Sequence, residues 1–310
     1  MAQGAVLFVK SNKVLWGANE ISICGIVPLV HNQKYMKLII AFFALSIFVH
    51  TAKAQYYYKD IVSCLQAKND LNTYKTNKVR SILIKSIEGN GEENDDFFAQ
   101  KKISKDYKKA ELFARNTLSA PSLQTSIYSA EGFLIKSTDS SDISVTSIYY
   151  SYNDAGMPTS ITSIIRSSDD DFTNEIVEQH LYSYSANGIP EKMARVKNHS
   201  DTVWILFAPD EKGNVAIEKD SKTGTRYYYY YDNKGRLTDI VQENDFKKQM
   251  RPDYVFEYNS QGQISQMTSS EEGLNNYYVW KYYYENGLRI REKCFNKERK
   301  LMGSIEYEYK

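Results

Sequence analysis

Downstream of residue 123 the chain reads as one pattern repeated. A short stretch mixing aromatic or apolar with polar positions runs into a turn former, two polar residues and Gly, and a second extended stretch follows. The copies are IYSAEGFLI around Gly132, YSYNDAGMPTSI around Gly156, LYSYSANGIPEKM around Gly188 and LFAPDEKGNVAI around Gly213. YYYDNKGRLTDI around Gly235, VFEYNSQGQISQM around Gly262 and KYYYENGLRIRE around Gly287 complete the series. Successive glycines stand 24, 32, 25, 22, 27 and 25 residues apart. Six of the seven copies carry Tyr four residues before the Gly, at Tyr128, Tyr152, Tyr184, Tyr231, Tyr258 and Tyr283; the exception is Pro209. Five residues after the Gly, Ile161, Met193, Ile240 and Met267 are apolar.

Turn chemistry makes each copy a β-hairpin. Asp232-Asn233-Lys234-Gly235 suits a type I turn closed by a left-handed residue, the G1-bulge loop. Ser129, Asn153, Ser185, Asp210, Asp232 and Asn259 open the turns with side chains that can accept from the turn backbone. Gly closes them because it alone takes the left-handed conformation without a Cβ penalty. The last copy, Tyr284-Glu285-Asn286-Gly287, is one residue shorter, and its Asn-Gly signals a tight hairpin. Seven hairpins predict about fourteen strands, with a closing strand at Ser304 to Tyr309. The expected fold is mainly β: an antiparallel meander of consecutive hairpins forming an extended twisted sheet.

These segments resemble the YD repeats of the RHS family, whose signature is Tyr-Asp-x-x-Gly-Arg-Leu. Tyr231-Asp232-Asn233-Lys234-Gly235-Arg236-Leu237 matches it throughout, while Tyr258-Asn259-x-x-Gly262-x-Ile264 and Tyr152-Asn153-x-x-Gly156 match it in part. The resemblance covers roughly residues 126 to 295. It implies a secreted or surface-associated array of twisted hairpins, in a family linked with carbohydrate binding and with the shells of toxin complexes. This chain is much shorter than those shells and has no self-cleaving core or toxin tail, so an enclosing cage is not expected.

Residues 55–122 read differently, as a small N-terminal helical or mixed cap over the first hairpin of the 123–310 array. Ile61, Val62, Leu65 and Leu71 recur at helical spacing between Tyr58 and Tyr74, and Val79 to Ile87 reads as a strand. Lys105 to Leu118 is expected as a helix with a blurred apolar face, and Glu88 to Asp96 and Ser167 to Asp171 as polar loops.

Leu38 to Val49, LIIAFFALSIFV, is too short to span a bilayer, which needs about 20 residues as a helix. Met36-Lys37 before it and Ala52-x-Ala54 after it make residues 36–54 a signal peptide cleaved between Ala54 and Gln55. Residues 1–35 then read as an over-extended start with no structural role. The expected location is the periplasm, the outer surface or the medium, with membrane contact only through an uncleaved signal segment.

Composition and charge narrow the function. The chain holds 39 Lys+Arg against 38 Asp+Glu, and 26 Tyr against 13 Phe. Without residues 1–54 it would keep 34 bases and 37 acids, a net charge of −3 that disfavours nucleic acid. Tyr at this abundance favours pleated, half-buried surfaces. Two cysteines would remain, Cys64 and Cys294, candidates for a disulfide in an exported chain. With two histidines left, His180 and His199, and no H-E-x-x-H or C-x-x-C, no metal or cofactor site is expected. Lys222-Thr223-Gly224 lacks the S-x-x-K partner it would need for serine chemistry. No catalytic residue is assigned.

The remaining feature is aromatic. Tyr227 to Tyr231 and Tyr282 to Tyr284 place rings on both faces of a sheet, because successive strand residues alternate. Cross-strand aromatic pairs can hold a thin sheet together, each contributing roughly 0.2–1 kcal/mol. A wet aromatic face at Tyr229, Tyr282 and Trp280 could instead bind a glycan or an envelope protein. The expected function is non-catalytic binding or scaffolding at the cell envelope. The alternatives are an outer-membrane β-barrel and an envelope polysaccharide hydrolase.

Overall fold

The computed structural model describes residues 56–116, 120–168, 175–243, 250, 252–270 and 276–310. The segment expected as a signal peptide, the cleavage site expected between Ala54 and Gln55, and residues 1–35 lie outside them. The described residues form one helix, α1 (Tyr58–Thr76), and eighteen strands. The strands are β1 (Ser81–Glu88), β2 (Phe98–Ile103), β3 (Lys109–Arg115), β4 (Ser122–Tyr128), β5 (Leu134–Ser140) and β6 (Ser144–Tyr152). They continue with β7 (Pro158–Ser167), β8 (Ile176–Tyr184), β9 (Pro190–Lys197), β10 (Asp201–Pro209), β11 (Val215–Asp220) and β12 (Arg226–Tyr231). The last six are β13 (Leu237–Glu243), β14 (Tyr254–Tyr258), β15 (Ile264–Ser270), β16 (Tyr277–Glu285), β17 (Leu288–Phe295) and β18 (Leu301–Tyr309).

Every strand pairs antiparallel with its neighbours in sequence, and the ring then closes. β18 pairs with β1 over seven residues, from Ile82 opposite Tyr309 to Glu88 opposite Gly303. The result is a closed eighteen-stranded barrel, which corrects the expected open twisted sheet. Closure leaves no unpaired edge, the weak point of any open array. The cap region is corrected with it. β1, β2 and β3 are wall strands, and the stretch expected as a helix at Lys105 to Leu118 carries β3, where Ala110 and Leu112 alternate with Glu111 and Phe113.

The hairpins have the turn geometry expected of them. All seven glycines have positive φ, from +74° at Gly235 to +86° at Gly213. At Gly235 the turn is closed by its N–H on Asp232 O (3.1 Å), while Asp232 Oδ1 accepts from the amides of Lys234 (2.9 Å) and Arg236 (3.0 Å). A bulge between Tyr230 and Tyr231 precedes it. The tight last turn uses Asn286 (φ +50°) and Gly287 (φ +80°).

The tyrosine before each turn has a specific task. The hydroxyls of Tyr152, Tyr184, Tyr231 and Tyr258 donate to the carbonyls of Leu134 (2.7 Å), Pro158 (2.6 Å), Val215 (2.8 Å) and Leu237 (2.6 Å). Each acceptor lies two residues past the glycine of the preceding hairpin, so the phenol staples one hairpin to the next. Tyr284 reaches Ile264 O (2.9 Å) and Tyr309 reaches Arg289 O (2.7 Å) in the same way. In the shortened last copy the stapling residue is therefore Tyr284; Tyr283, at the expected position, is 41% exposed on the outer wall.

α1 is a lid across the end of the barrel where these turns gather. Its face of Ile61, Cys64, Ala67 and Leu71 is buried, while Leu65, Asn69, Asn72 and Thr76 face water. Lys68 Nζ sits 3.6 Å over the Phe133 ring at one rim, and Asn77 Nδ2 donates to Asn286 O (3.1 Å) at another. Beneath it the inner wall packs as two clusters, one around Met193, Ile205 and Ile240 and one around Leu71, Ile82 and Ala99. The four apolar residues five past the glycines, Ile161, Met193, Ile240 and Met267, are all buried there.

Candidate functional site

Strand alternation divides the side chains between a lumen and an outer wall. On β12, Tyr227 and Tyr229 are buried inward and Tyr230 is 50% exposed outward. On β10, Val203, Ile205 and Phe207 point in, and Trp204 (43% exposed) and Leu206 (44%) point out.

The helix start is held by a buried polar cluster. Three orphan-donor problems meet in one carboxylate: Glu218 of β11 accepts from the amides of Tyr57 (2.8 Å) and Tyr58 (2.8 Å) and from the Tyr229 hydroxyl (2.8 Å). The first N–H groups of a helix lack intrahelical partners and carry partial positive charge, which a carboxylate complements. Burial nevertheless pushes the Glu218 carboxyl up to about 7 against those donors. Beside it, His180 Nδ1 lies 2.6 Å from Asp60 of α1 and Nε2 lies 2.9 Å from Glu178. Burial works against the His180 cation, but the two carboxylates outweigh it and raise its pKa to about 9. His180 in turn holds Glu178 down to about 2. Tyr182 donates to Asp60 Oδ2 (2.9 Å), and Arg195 Nη1 to the Tyr57 hydroxyl (2.6 Å). This cluster has an acid, a base and a phenol in contact, yet it lies under the lid and its bonds fasten α1 to the wall.

A second, half-buried pair braces the far side. Arg289 Nη1 lies 2.9 Å from Glu292 Oε1, which also accepts from the Tyr307 hydroxyl (2.6 Å). The Arg289 guanidinium stacks 4.5 Å from the Tyr282 ring centre.

The structure places the side chains expected to bind a ligand on the inner face. Tyr229 is 3% exposed and bound to Glu218, and Trp280 and Tyr282 pack against the core cluster inside the barrel. Alternation allowed either face; ring closure made theirs the lumen. Cys64 and Cys294 are both buried free thiols, so no disulfide joins them. Cys64 faces β6, beside Tyr152, whereas Cys294 sits on β17, well round the ring.

Among the described residues the wet aromatic ones are Phe113, Tyr149, Trp204, Tyr230, Tyr277 and Tyr283. Tyr230 and Tyr228 line an open groove of about 460 Å³ together with Asp210, Glu211, Lys212 and Asp232 of two adjoining turns. The Trp204 ring lies under the Lys192 ammonium at 5.0 Å. The alternation of β10 and β12 was legible in the sequence, but which phase faced water was not.

Ion pairs run over the same wall: Lys85 with Glu308 (2.9 Å), Arg291 with Glu306 (2.9 Å) and Arg226 with Glu243 (3.0 Å). Lys281 and Lys293 stand there as mid-strand partners of one another across β16 and β17.

No protein-family model matches the sequence, and no curated protein does. Among solved structures the chain is similar to a porin-like protein from Bacteroides uniformis, at 10% identity and a TM-score of 0.36, covering 75% of this chain and 98% of that one. It is also similar to the toxin complex TcdB2-TccC3 without its hypervariable C-terminal region, at 14% identity and a TM-score of 0.30, covering 69% of this chain and 12% of that one. The Photorhabdus luminescens Tc holotoxin pore matches at 13% identity and a TM-score of 0.30, over 71% of this chain and 13% of that one. The chain thus spans about an eighth of each toxin chain. At these scores nothing is transferred from those proteins to this one.

Proposed function

We propose that this is an exported, non-catalytic barrel of the cell envelope that binds a glycan or a surface protein on its outer wall. The observation carrying the reading is the division of roles between the faces. The lid and the phenols occupy the lumen, while Tyr230, with Glu211 and the turn carboxylates beside it, stands open to solvent. A flat ring for stacking with acceptors at its edge suits a sugar, whose apolar face and hydroxyls need both.

The second reading is an outer-membrane barrel, and ring closure favours it. Against it stands the charge of the wall. A Lys or Arg on a lipid-facing position costs about 2–4 kcal/mol at the bilayer midplane, and Lys85, Lys281, Lys293 and Arg291 all point outward from strands. The two readings separate on extraction. A water-facing barrel should leave the envelope in high salt without detergent and run at one gel mobility whether or not it is heated. Glycan arrays should then show binding that Tyr230→Ala weakens and Tyr149→Ala does not. Detergent-dependent extraction with heat-modifiable mobility would instead establish the membrane barrel.

A further inference from the structure

One hairpin departs from the rest, at the position that staples it to its neighbour. Register makes the equivalence plain: Tyr128, Tyr152, Tyr184, Tyr231 and Tyr258 pair with Leu134, Pro158, Pro190, Leu237 and Ile264, and Pro209 pairs with Val215 in the same place after the same bulge. The tyrosines there are buried or half-buried, whereas Pro209 is exposed. Pro209 has no phenol to lay over the preceding turn and no hydroxyl for the Pro190 carbonyl, the acceptor two residues past Gly188.

A crevice of about 480 Å³ opens between the turn that follows Pro209 and the turn before it. Its walls are the two turns that lack their staple, Asn187 to Pro190 and Lys212 to Val215. Tyr58, Ile61 and Leu65 of the lid and Met157 of the adjoining turn complete it. Leu65 is 42% exposed there, while Ile61, Cys64, Ala67 and Leu71 of the same helix are buried. Apolar residues, Pro190 and Lys212 converge on one space.

We propose that this crevice is a binding site for a 4-hydroxyphenyl group carried by a small phenolic carboxylate. The ring would take the place that a tyrosine fills between the other hairpins, its hydroxyl donating to the Pro190 carbonyl. Its acid would lie toward Lys212. The six stapling tyrosines of the same barrel are the pattern for the fit, because the same backbone frame already seats that group beside Leu134, Pro158, Val215, Leu237, Ile264 and Arg289.

The test uses purified protein and ligand-observed NMR. 4-Hydroxyphenylacetate should bind, and phenylacetate, which lacks the hydroxyl, should bind roughly two- to tenfold more weakly, the range of one net hydrogen bond. N-acetyl-tyrosinamide, the neutral peptide form of the same ring, should be the weaker of the two phenols; if it is the stronger, the source is a protein tyrosine and the assignment to a free carboxylate is overturned. Pro209→Tyr supplies the phenol from the chain itself, so binding should be lost while the melting temperature rises. Pro209→Ala should bind as the unaltered protein does. Should Pro209→Tyr fold poorly, Ile189→Trp closes the crevice from the opposite rim and should also abolish binding. Absence of binding by every probe, or full binding by folded Pro209→Tyr, overturns the proposal.

Discussion

A tyrosine in this barrel is used in two ways that its sequence position alone does not separate. Tyr258 places its hydroxyl 2.6 Å from Leu237 O and its ring on the core, whereas Tyr230 is half in water. Replacing each by Phe isolates the hydroxyl. Tyr258→Phe should lower stability by about 1 kcal/mol, with the carbonyl left to weaker partners, and Tyr230→Phe by close to nothing. Denaturant midpoints at unchanged slope measure the difference, and equal midpoints would remove the staple as an energetic feature. The same logic explains why Phe is a poor substitute at these positions although it would pack as well.

At the scale of elements, α1 is joined to the wall by its buried apolar face and by ionisable groups, and the latter make its docking depend on pH. His180 has its pKa raised from 6.5 to about 9, so its contribution is whole below pH 6.5 and disappears as pH rises to about 9. Glu218 is raised from 4.5 to about 7, so the folded state favours the neutral acid and that contribution fades as pH rises from 4.5 to about 7. Glu178, lowered from 4.5 to about 2, acts in the opposite sense and is lost as pH falls through that window. The lid should therefore hold best near pH 4.5 and loosen progressively from there towards pH 9, first as Glu218 ionises and then as His180 loses its proton. Hydrogen exchange at the amides of Tyr57 and Tyr58, which Glu218 accepts from, should lose protection over that range beyond the intrinsic pH effect. In His180→Gln the part of the slope above pH 6.5 should flatten. Protection that is independent of pH in both proteins would show that packing, rather than this cluster, fixes the lid.

For the whole molecule the decisive contact is the seam between β18 and β1. It pairs Ile82 to Glu88 with Gly303 to Tyr309, and the Tyr309 ring also lies tilted against Tyr74 of the lid, at 6.5 Å between ring centres. Deleting residues 301–310 would expose two strand edges, on β1 and β17, and remove the Tyr307 hydroxyl from Glu292. The shortened chain should then elute as oligomers or aggregate, since open edges recruit further strands. A monomer of unchanged helix protection would mean that closure contributes little to the fold.

Much of the local structure follows from the sequence by itself. The Asx-to-Gly turns, the apolar residues five past each glycine, the helix near Tyr58 and the closing strand near Ser304 all depend on neighbours within a few residues, and local turn and pattern chemistry determines them. The stretch that carries β3 does not reveal itself as a strand, because Tyr107, Ala110, Leu112, Phe113 and Ala114 are spaced ambiguously between the two periods; pairing with β2 and β4 decides it. Which face of each strand became the lumen, and hence that Tyr229, Tyr282 and Trp280 are covered while Tyr230 and Trp204 are wet, was decided only when β18 met β1. So was the polar cluster, whose members Asp60, His180 and Glu218 lie more than a hundred residues apart from helix to wall. A period of two records that faces alternate, but it carries no sign; curvature and closure of the ring supply the sign, because only one face can point to an interior that the lid then seals.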